Sequence, residues 1–184
     1  GNYSLFSQAL DLNYTAATSD LSNLGIAIKD DISLKGKVVG ELSNFIADGS
    51  GKIVGSNLRF AARIKDFAPL EIKLDAKSLN LAQITAIALG KPYITGNMNI
   101  QADITSKDTL YSGTASLNIP KAITNNELIA TDYGINLPNN FTIKADSNLN
   151  LEGRTAKAKS IITTPIAVAA ALNSIYNIDE NVLN

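Results

Sequence analysis

A strict two-residue alternation runs through Ile94-Thr95-Gly96-Asn97-Met98-Asn99-Ile100-Gln101-Ala102-Asp103-Ile104. Such a period places successive side chains on opposite faces of a β-strand. Residues 111–119 repeat the alternation, and the polar segment 105–109 between the two stretches is typical of a turn. Together the two stretches predict an antiparallel hairpin with one apolar and one polar face.

The same alternation recurs along most of the chain. Apolar rows of this period occupy residues 10–14, 26–38, 58–64, 70–74, 141–151 and 156–162. Several rows are about ten residues long, roughly 33 Å, against a usual strand length of five or six residues. The pattern predicts one mainly β domain over residues 1–184, a long, twisted and curved antiparallel sheet of roughly eight strands.

Two short helices are predicted to interrupt the sheet. Asn80 is a suitable N-cap for a helix Leu81–Leu89, with the Gln83 side chain reaching back to the cap and Gly90 as the left-handed stop. Near the end of the chain, Pro165 suits a first helical position. We therefore expect an apolar, buried helix from Pro165 to about Tyr176.

The apolar face of such a sheet must be covered, and three coverings are possible: a second sheet, closure into a barrel, or a ligand held in a curved groove. The chain has no Trp, and small residues recur in the apolar rows. These small residues favour a groove or cavity, whereas the general close packing of protein interiors favours an ordinary core. The alternating pattern leaves both open. The small inward residues are Ala102, Ala115, Ala145, Ala156 and Ala158.

Composition excludes several classes of function. The 184 residues include 16 Lys and Arg against 17 Asp and Glu, so there is no basic excess for nucleic-acid binding. There is no Cys and no His, which excludes thiolate nucleophiles, His-based catalysis and most zinc chemistry. We therefore predict a protein that is not an enzyme, with no catalytic residue, no metal site and no cofactor.

Two candidate chemical sites have simpler interpretations. Gly49-Ser50-Gly51-Lys52 resembles the end of a phosphate loop, but Ile46 and Ile53 stand where that motif needs Gly and Ser or Thr. A turn between strands is the prediction there. A hydrolase that uses carboxylates alone remains an alternative, although Asp103, Asp146 and Glu152 all fall on the polar sides of their strands.

One stretch resembles a known family. Ala88-Leu89-Gly90-Lys91-Pro92-Tyr93-Ile94-Thr95-Gly96-Asn97-Met98-Asn99-Ile100 combines a short helix, a Gly-x-Pro stop and an apolar-x-Gly-x-apolar strand, as in the AsmA/TamB-like proteins of bacterial envelopes. Residues 110–119 and 48–58 look like further strands and turns of that family. The resemblance covers about residues 48–120 and departs at Pro120-Lys121-Ala122, where the family often has an Asp-Gly turn.

The resemblance implies a fold and a function. Proteins of this family look like elongated, curved β-sheets with an apolar concave face, anchored at the inner membrane and reaching across the periplasm. They are implicated in moving phospholipid toward the outer membrane and, in one branch, in assembling outer-membrane proteins. This chain is then expected to be a periplasmic segment of a longer protein, with phospholipid or another acyl-chain ligand as partner and with envelope or outer-membrane assembly proteins as further partners.

On this interpretation the apolar rows line a lipid groove. The alternatives are an ordinary core in a structural or adhesin module, and the carboxylate enzyme. The start at Gly1 and Asn2 is expected of an excised piece, whose open edge strands could allow dimerisation. The predicted lining residues are Leu58, Phe60, Ile64, Ile72, Leu74, Ile94, Met98, Ile100, Ile104, Leu117, Ile119, Ile143, Leu149 and Leu151.

Overall fold

The computed structural model describes residues 2–3, 9–19, 32–108, 110–166, 168–177 and 182–183. Within them the strands form one open antiparallel sheet, in which each strand pairs with the next along the chain. The strands predicted around Ile26 and Ile28 lie outside the described residues. The strands are β1 (Asn2–Tyr3), β2 (Ala9–Thr18), β3 (Ile32–Glu41), β4 (Asn44–Ile53), β5 (Ser56–Lys65), β6 (Ala68–Asn80), β7 (Ile94–Lys107), β8 (Leu110–Thr124), β9 (Thr142–Gly153), β10 (Thr155–Thr163), β11 (Val168–Asn177) and β12 (Val182–Leu183).

The prediction of a long antiparallel sheet with two short helices is confirmed, although the strands outnumber the eight expected. One reason is that Gly49-Ser50-Gly51-Lys52, predicted as a turn, lies inside β4. Gly51 lies close to the Ser33 backbone, and at Gly49 two aromatic rings approach the backbone closely. A Cβ on Gly49 would lie 2.2 Å from the Tyr14 hydroxyl and 2.8 Å from Phe60 Cζ.

Helix α1 (Leu81–Leu89) begins and ends where the sequence predicts. The Asn80 side chain accepts a hydrogen bond from the Gln83 backbone N–H at 3.2 Å, and Gly90 has a left-handed φ of 80°. The second half of the predicted capping box is not formed, since the Gln83 side-chain oxygen is buried without a hydrogen-bond partner. The start of this helix is therefore capped by the bond from the Gln83 N–H to the Asn80 side chain alone.

The predicted C-terminal helix from Pro165 to Tyr176 is wrong, because Val168–Asn177 forms strand β11. This strand pairs with β10 along its length, from Thr155 opposite Asn177 to Thr163 opposite Val168. Backbone pairing with a preformed strand outweighs the modest helix preference of alanine, so tertiary context decides the conformation.

The second helix is instead α2 (Asn126–Tyr133). The Asn125 side chain caps it by accepting a hydrogen bond from the Leu128 N–H at 3.2 Å, and Gly134 ends it in the left-handed region. Asparagine before the helix and glycine after it were sequence signals of these ends.

Two β-bulges bend the sheet near the helices. Lys77-Ser78 carries an extra residue in β6 opposite β7, and Pro120-Lys121 carries one in β8 opposite β9. The Asn99 side chain accepts a hydrogen bond from the Ser78 N–H at 3.0 Å and donates to Asn118 Oδ1 at 3.4 Å. These bonds link the bulge in β6 to β7 and β8 on the polar face.

The buried core lies at this helical end of the sheet. Among the described residues, ten apolar side chains are buried, and seven of these form one cluster to which α1 contributes Leu81. Ile84 of α1 packs against the same cluster. The strands continue away from the helices, beyond this core. The cluster is Ile32, Val54, Ala76, Leu79, Leu81, Met98 and Ala122.

Replacing Leu81 by alanine tests the contribution of α1 to stability. The Leu81 side chain is 3% exposed, so Leu81→Ala should lower the free energy of unfolding by about 2–5 kcal/mol through lost burial and a cavity. Leu89 of the same helix is 58% exposed, and Leu89→Ala should change the free energy of unfolding by less than about 0.5 kcal/mol. Urea unfolding followed by circular dichroism measures both. Equal effects of the two substitutions would contradict the packing described for α1.

Candidate functional site

Strand register brings the predicted lining residues onto one face of the sheet, the apolar face. In an antiparallel pair, directly opposed residues point to the same side. Leu58 opposes Ala76, Ala76 opposes Ile100, and Ile100 opposes Leu117. The neighbouring row runs from Phe60 through Leu74, Ala102 and Ala115 to Leu149, and the next pairs Ile72 with Ile104.

The bulges do not break this face. Leu79 opposes Met98 beyond the bulge in β6, and Ala122 opposes Ile143 beyond the bulge in β8. Every predicted lining residue lies on this face or at its helical end. Those not yet placed are Ile64, opposite Phe45; Ile94, opposite Thr124; Ile119, opposite Ala145; and Leu151, opposite Gly113.

Little covers the apolar face. Among the described residues no second sheet packs on it, and α1 covers only its helical end. Met98 and Leu151 are buried, Ile72 is 41% exposed, and the other predicted lining residues are half-buried. A sandwich core would bury these side chains fully. The face is therefore a broad apolar surface that continues outward from a small core.

The face extends further than the predicted lining. Tyr14 opposes Gly36, Gly36 opposes Gly49, and Gly49 opposes Phe60, so the row reaches β2. Alternation in residues 10–14 and 26–38 signalled this extension, but the glycines of β4 concealed it there. On the other side Ala158 opposes Leu149 and Ser174, so the row also reaches β11. Further members in β2 to β4 are Leu12, Leu34, Val38 and Ala47.

Tyr14 lies over the glycines as the one phenol in this row. Its hydroxyl donates a hydrogen bond to the Asp48 backbone oxygen at 3.1 Å. Partial burial, with a smaller contribution from the charge of Asp48, raises the pKa of Tyr14 above its usual value. The group is therefore neutral at physiological pH and adds no charge to the apolar face.

The opposite, polar face carries the charged residues. Lys73 Nζ lies 2.9 Å from Glu71 Oε1 and 3.8 Å from Asp103 Oδ2. The hydrogen bond from Lys73 lowers the pKa of Glu71, and the same bond raises the pKa of Lys73. A depression of about 470 Å³ opens between these strands and includes Arg59 and Asp75. Exposed pairs of this kind contribute little to stability, so this face is a solvated surface.

The predicted carboxylates do not converge in the described part of the chain. Asp103, Asp146 and Glu152 are exposed on the polar face, on strands β7 and β9. In the part of the chain that the structure describes, no group of three or more acidic side chains is arranged to hold a metal ion. The arrangement fits solvated charge better than general acid and base chemistry.

Helix α2 is fastened to the segment before β7 by a polar cluster. Lys91 Nζ lies 2.7 Å from both carboxylate oxygens of Asp132, and the Tyr93 hydroxyl donates to Asp132 Oδ2 at 2.7 Å. The Tyr93 and Tyr133 ring centroids are 5.4 Å apart. The Lys91 hydrogen bond, followed by that from Tyr93, lowers the pKa of Asp132, and the bond to Asp132 raises the pKa of Tyr93. These contacts hold α2 against the segment that precedes β7, so their role is structural.

None of the helices in the described part of the chain combines the length and the apolar character needed to cross a membrane.

Comparison with known proteins adds no relative. The chain matches no family model, and neither the curated proteins nor the solved structures include one with significant similarity to it.

The bonds that Asp132 accepts from Lys91 and Tyr93 should make the free energy of unfolding depend on pH. The pKa of Asp132 is lowered in the folded state, so the carboxylate stabilises the fold above its unfolded pKa of about 4 and loses that effect as the pH falls through the folded value. Asp132→Asn should therefore be less stable than the parent at neutral pH. The difference should shrink as the pH is lowered below about 4. Urea unfolding at a series of pH values measures this difference in the free energy of unfolding. A difference independent of pH would contradict a stabilising role of the Asp132 carboxylate.

Proposed function

We propose that this chain binds phospholipid, or another acyl-chain ligand, along its apolar sheet face, without catalysis. The observation that carries the proposal is one contiguous apolar face from β2 to β11 over which the described residues place only α1. Apolar side chains that stay half-exposed across this many neighbouring strands indicate an interaction site. Acyl chains would supply the missing cover.

The dimensions of the face suit extended acyl chains. Neighbouring strands are about 4.8 Å apart, so the ten strands from β2 to β11 span about 45 Å. One acyl chain extends about 15 Å, half the thickness of a bilayer core, and so crosses about three strands. Each buried methylene contributes about 0.8 kcal/mol. The face therefore has room for more than one acyl chain. Because neighbouring rows are similar, an acyl chain could shift from one row to the next at a small cost in free energy.

The character of the face supports an apolar ligand. Its rows combine branched aliphatic residues with glycine and alanine, and the charged residues of the same strands point to the polar face. A ligand with buried charge would find no counter-charge in these rows. A phospholipid would keep its headgroup at the rim and place only hydrocarbon on the sheet.

The family resemblance of residues 48–120 is the basis for proposing that this function belongs to the cell envelope. On the proposal, the chain is a periplasmic segment of an AsmA/TamB-like protein, whose membrane anchor lies elsewhere in a longer protein. The resemblance depends on residues 88–100, which form the end of α1, the Gly90 stop and the start of β7. Phospholipid passing toward the outer membrane would then be the ligand, and envelope assembly proteins would be further partners.

Retained lipid tests the proposal directly. Organic-solvent extracts of the purified protein, analysed by mass spectrometry, should contain on the order of one phospholipid per chain. Charge at the opposed residues Ile100 and Leu117 should exclude acyl chains, so Ile100→Asp/Leu117→Asp should retain about tenfold less. The matched control is Gln101→Asp/Ser116→Asp, the next opposed pair on the polar face, which should retain as much as the parent.

A second pair separates lipid loss from unfolding. Ile100 and Leu117 pack against the core, whereas Ile72 and Ile104 oppose each other farther from α1, and Ile72 is 41% exposed. Ile72→Asp/Ile104→Asp should remain folded by circular dichroism and also lose lipid. A folded parent that carries no phospholipid, even after incubation with it, would refute lipid binding and favour a structural module.

A further inference from the structure

Apolar side chains gather at one corner of the sheet, opposite the helical end. The corner consists of the two neighbouring hairpins β3–β4 and β5–β6, and we call its exposed side chains the hairpin corner: Val39, Leu42, Ile46 and Phe67. Phe67 is 72% exposed, and the other three are each more than two-fifths exposed. Four large apolar side chains in water at one place require an explanation other than folding.

At this corner the apolar–polar alternation fails. Val39 and Ile46 oppose each other on the polar face, while Gly40 and Phe45 oppose each other on the apolar face one residue nearer the turn. Both faces of the β3–β4 hairpin are therefore apolar near its tip. A depression of about 490 Å³ here is lined by residues that include Val39, Phe45, Ile46 and Ile64.

The two turns are held side by side. The Phe67 N–H donates to the Ser43 backbone oxygen at 3.3 Å, and the Asp66 N–H donates to the Asn44 side-chain oxygen at 3.2 Å. Asp66 and Phe67 have φ of 51° and 61°, so both central residues of this turn are left-handed. Glycine is the usual residue there, and a bulky aromatic is strained. The turn thus holds an exposed aromatic ring at a cost to folding, which points to a role for the ring.

The geometry favours a lipid bilayer over a protein as the partner of this corner. A protein surface or a second copy of the chain would cover one side of the hairpins, whereas apolar residues lie on both faces and at the tips. Four side chains are also far fewer than the roughly 20–30 residues per partner of a stable protein interface. A bilayer surrounds an inserted tip on all sides.

The depth and charges of the corner fit the headgroup boundary. From the tip to Val39 and Ile46 is about three residues, roughly 10 Å, which is the depth reached by interfacial elements. Farther along the polar face Lys37 opposes Asp48, where insertion would stop. Arg63 and Lys65 can extend their heads toward phosphates. The turn carboxylates of Glu41 and Asp66 keep the tips out of the hydrocarbon centre.

We propose that the hairpin corner inserts into the surface of a phospholipid bilayer and is the place where lipid passes between that bilayer and the apolar face. The apolar face reaches the same tips through Phe45, Ile64 and Leu70, whereas α1 covers its opposite end. The passage of lipid rests on the proposed function, while insertion does not depend on it.

Vesicle sedimentation tests the insertion. The protein should sediment with vesicles of equal parts phosphatidylcholine and phosphatidylglycerol, and Leu42→Ser/Phe67→Gly should bind them about tenfold more weakly, because the apolar tip is lost. Glycine suits the left-handed position, so Phe67→Gly alone should melt at the same temperature as the parent or higher. Leu110, the first residue of β8, is 46% exposed against 44% for Leu42, and Leu110→Ser is the matched control that should bind as the parent does.

Two further measurements keep the proposals apart. The corner variant should still take up a short-chain phospholipid supplied below its micelle concentration, whereas Ile72→Asp/Ile104→Asp should still sediment with vesicles but take up no lipid. Failure of the parent to bind vesicles, equal binding by the corner variant, or loss of binding only in the face variant would overturn the insertion. So would a dimer of the parent that the corner variant abolishes, since a second copy would then be the partner.

Discussion

Antiparallel pairing of each strand with its neighbour along the chain is the constraint on which this structure depends. Because opposed residues share a side and successive residues alternate, ten long strands in register sort nearly all their side chains into one apolar and one polar face. A slip of one residue in any pair would reverse that sorting. Register between neighbouring strands therefore creates the candidate site.

The same constraint explains why the buried core and the uncovered part of the apolar face occupy different parts of the molecule. At the helical end, α1 and the two bulges close the apolar face into a small buried cluster. Beyond it the face stays half-exposed, so its strands gain stability chiefly from backbone pairing and from contacts between neighbours on the same side. A surface left uncovered in this way can accept a ligand without first opening a packed core.

Departures from the common pattern indicate where the two faces differ in role. At Gly36 in β3 and Gly49 in β4 the absence of a side chain lets the rings of Tyr14 and Phe60 lie close to the backbone. At the hairpin corner the doubled apolar residues Val38-Val39 and Phe45-Ile46 make both faces apolar. The first departure is explained by the packing of these rings against the backbone, and the second is the basis of the proposed insertion.

Local patterns in the chain were enough to predict the antiparallel sheet, the helix Leu81–Leu89 with its two caps, and the set of residues that share the apolar face. These features depend on neighbours within a few residues, where side-chain period and capping chemistry act directly. Only the tertiary structure decided that residues 168–177 form a strand, because an alanine-rich segment follows whichever backbone partner is present. It alone also decided that no second sheet covers the apolar face among the described residues and that Val39, Leu42, Ile46 and Phe67 meet at one corner, since both depend on pairing between distant segments.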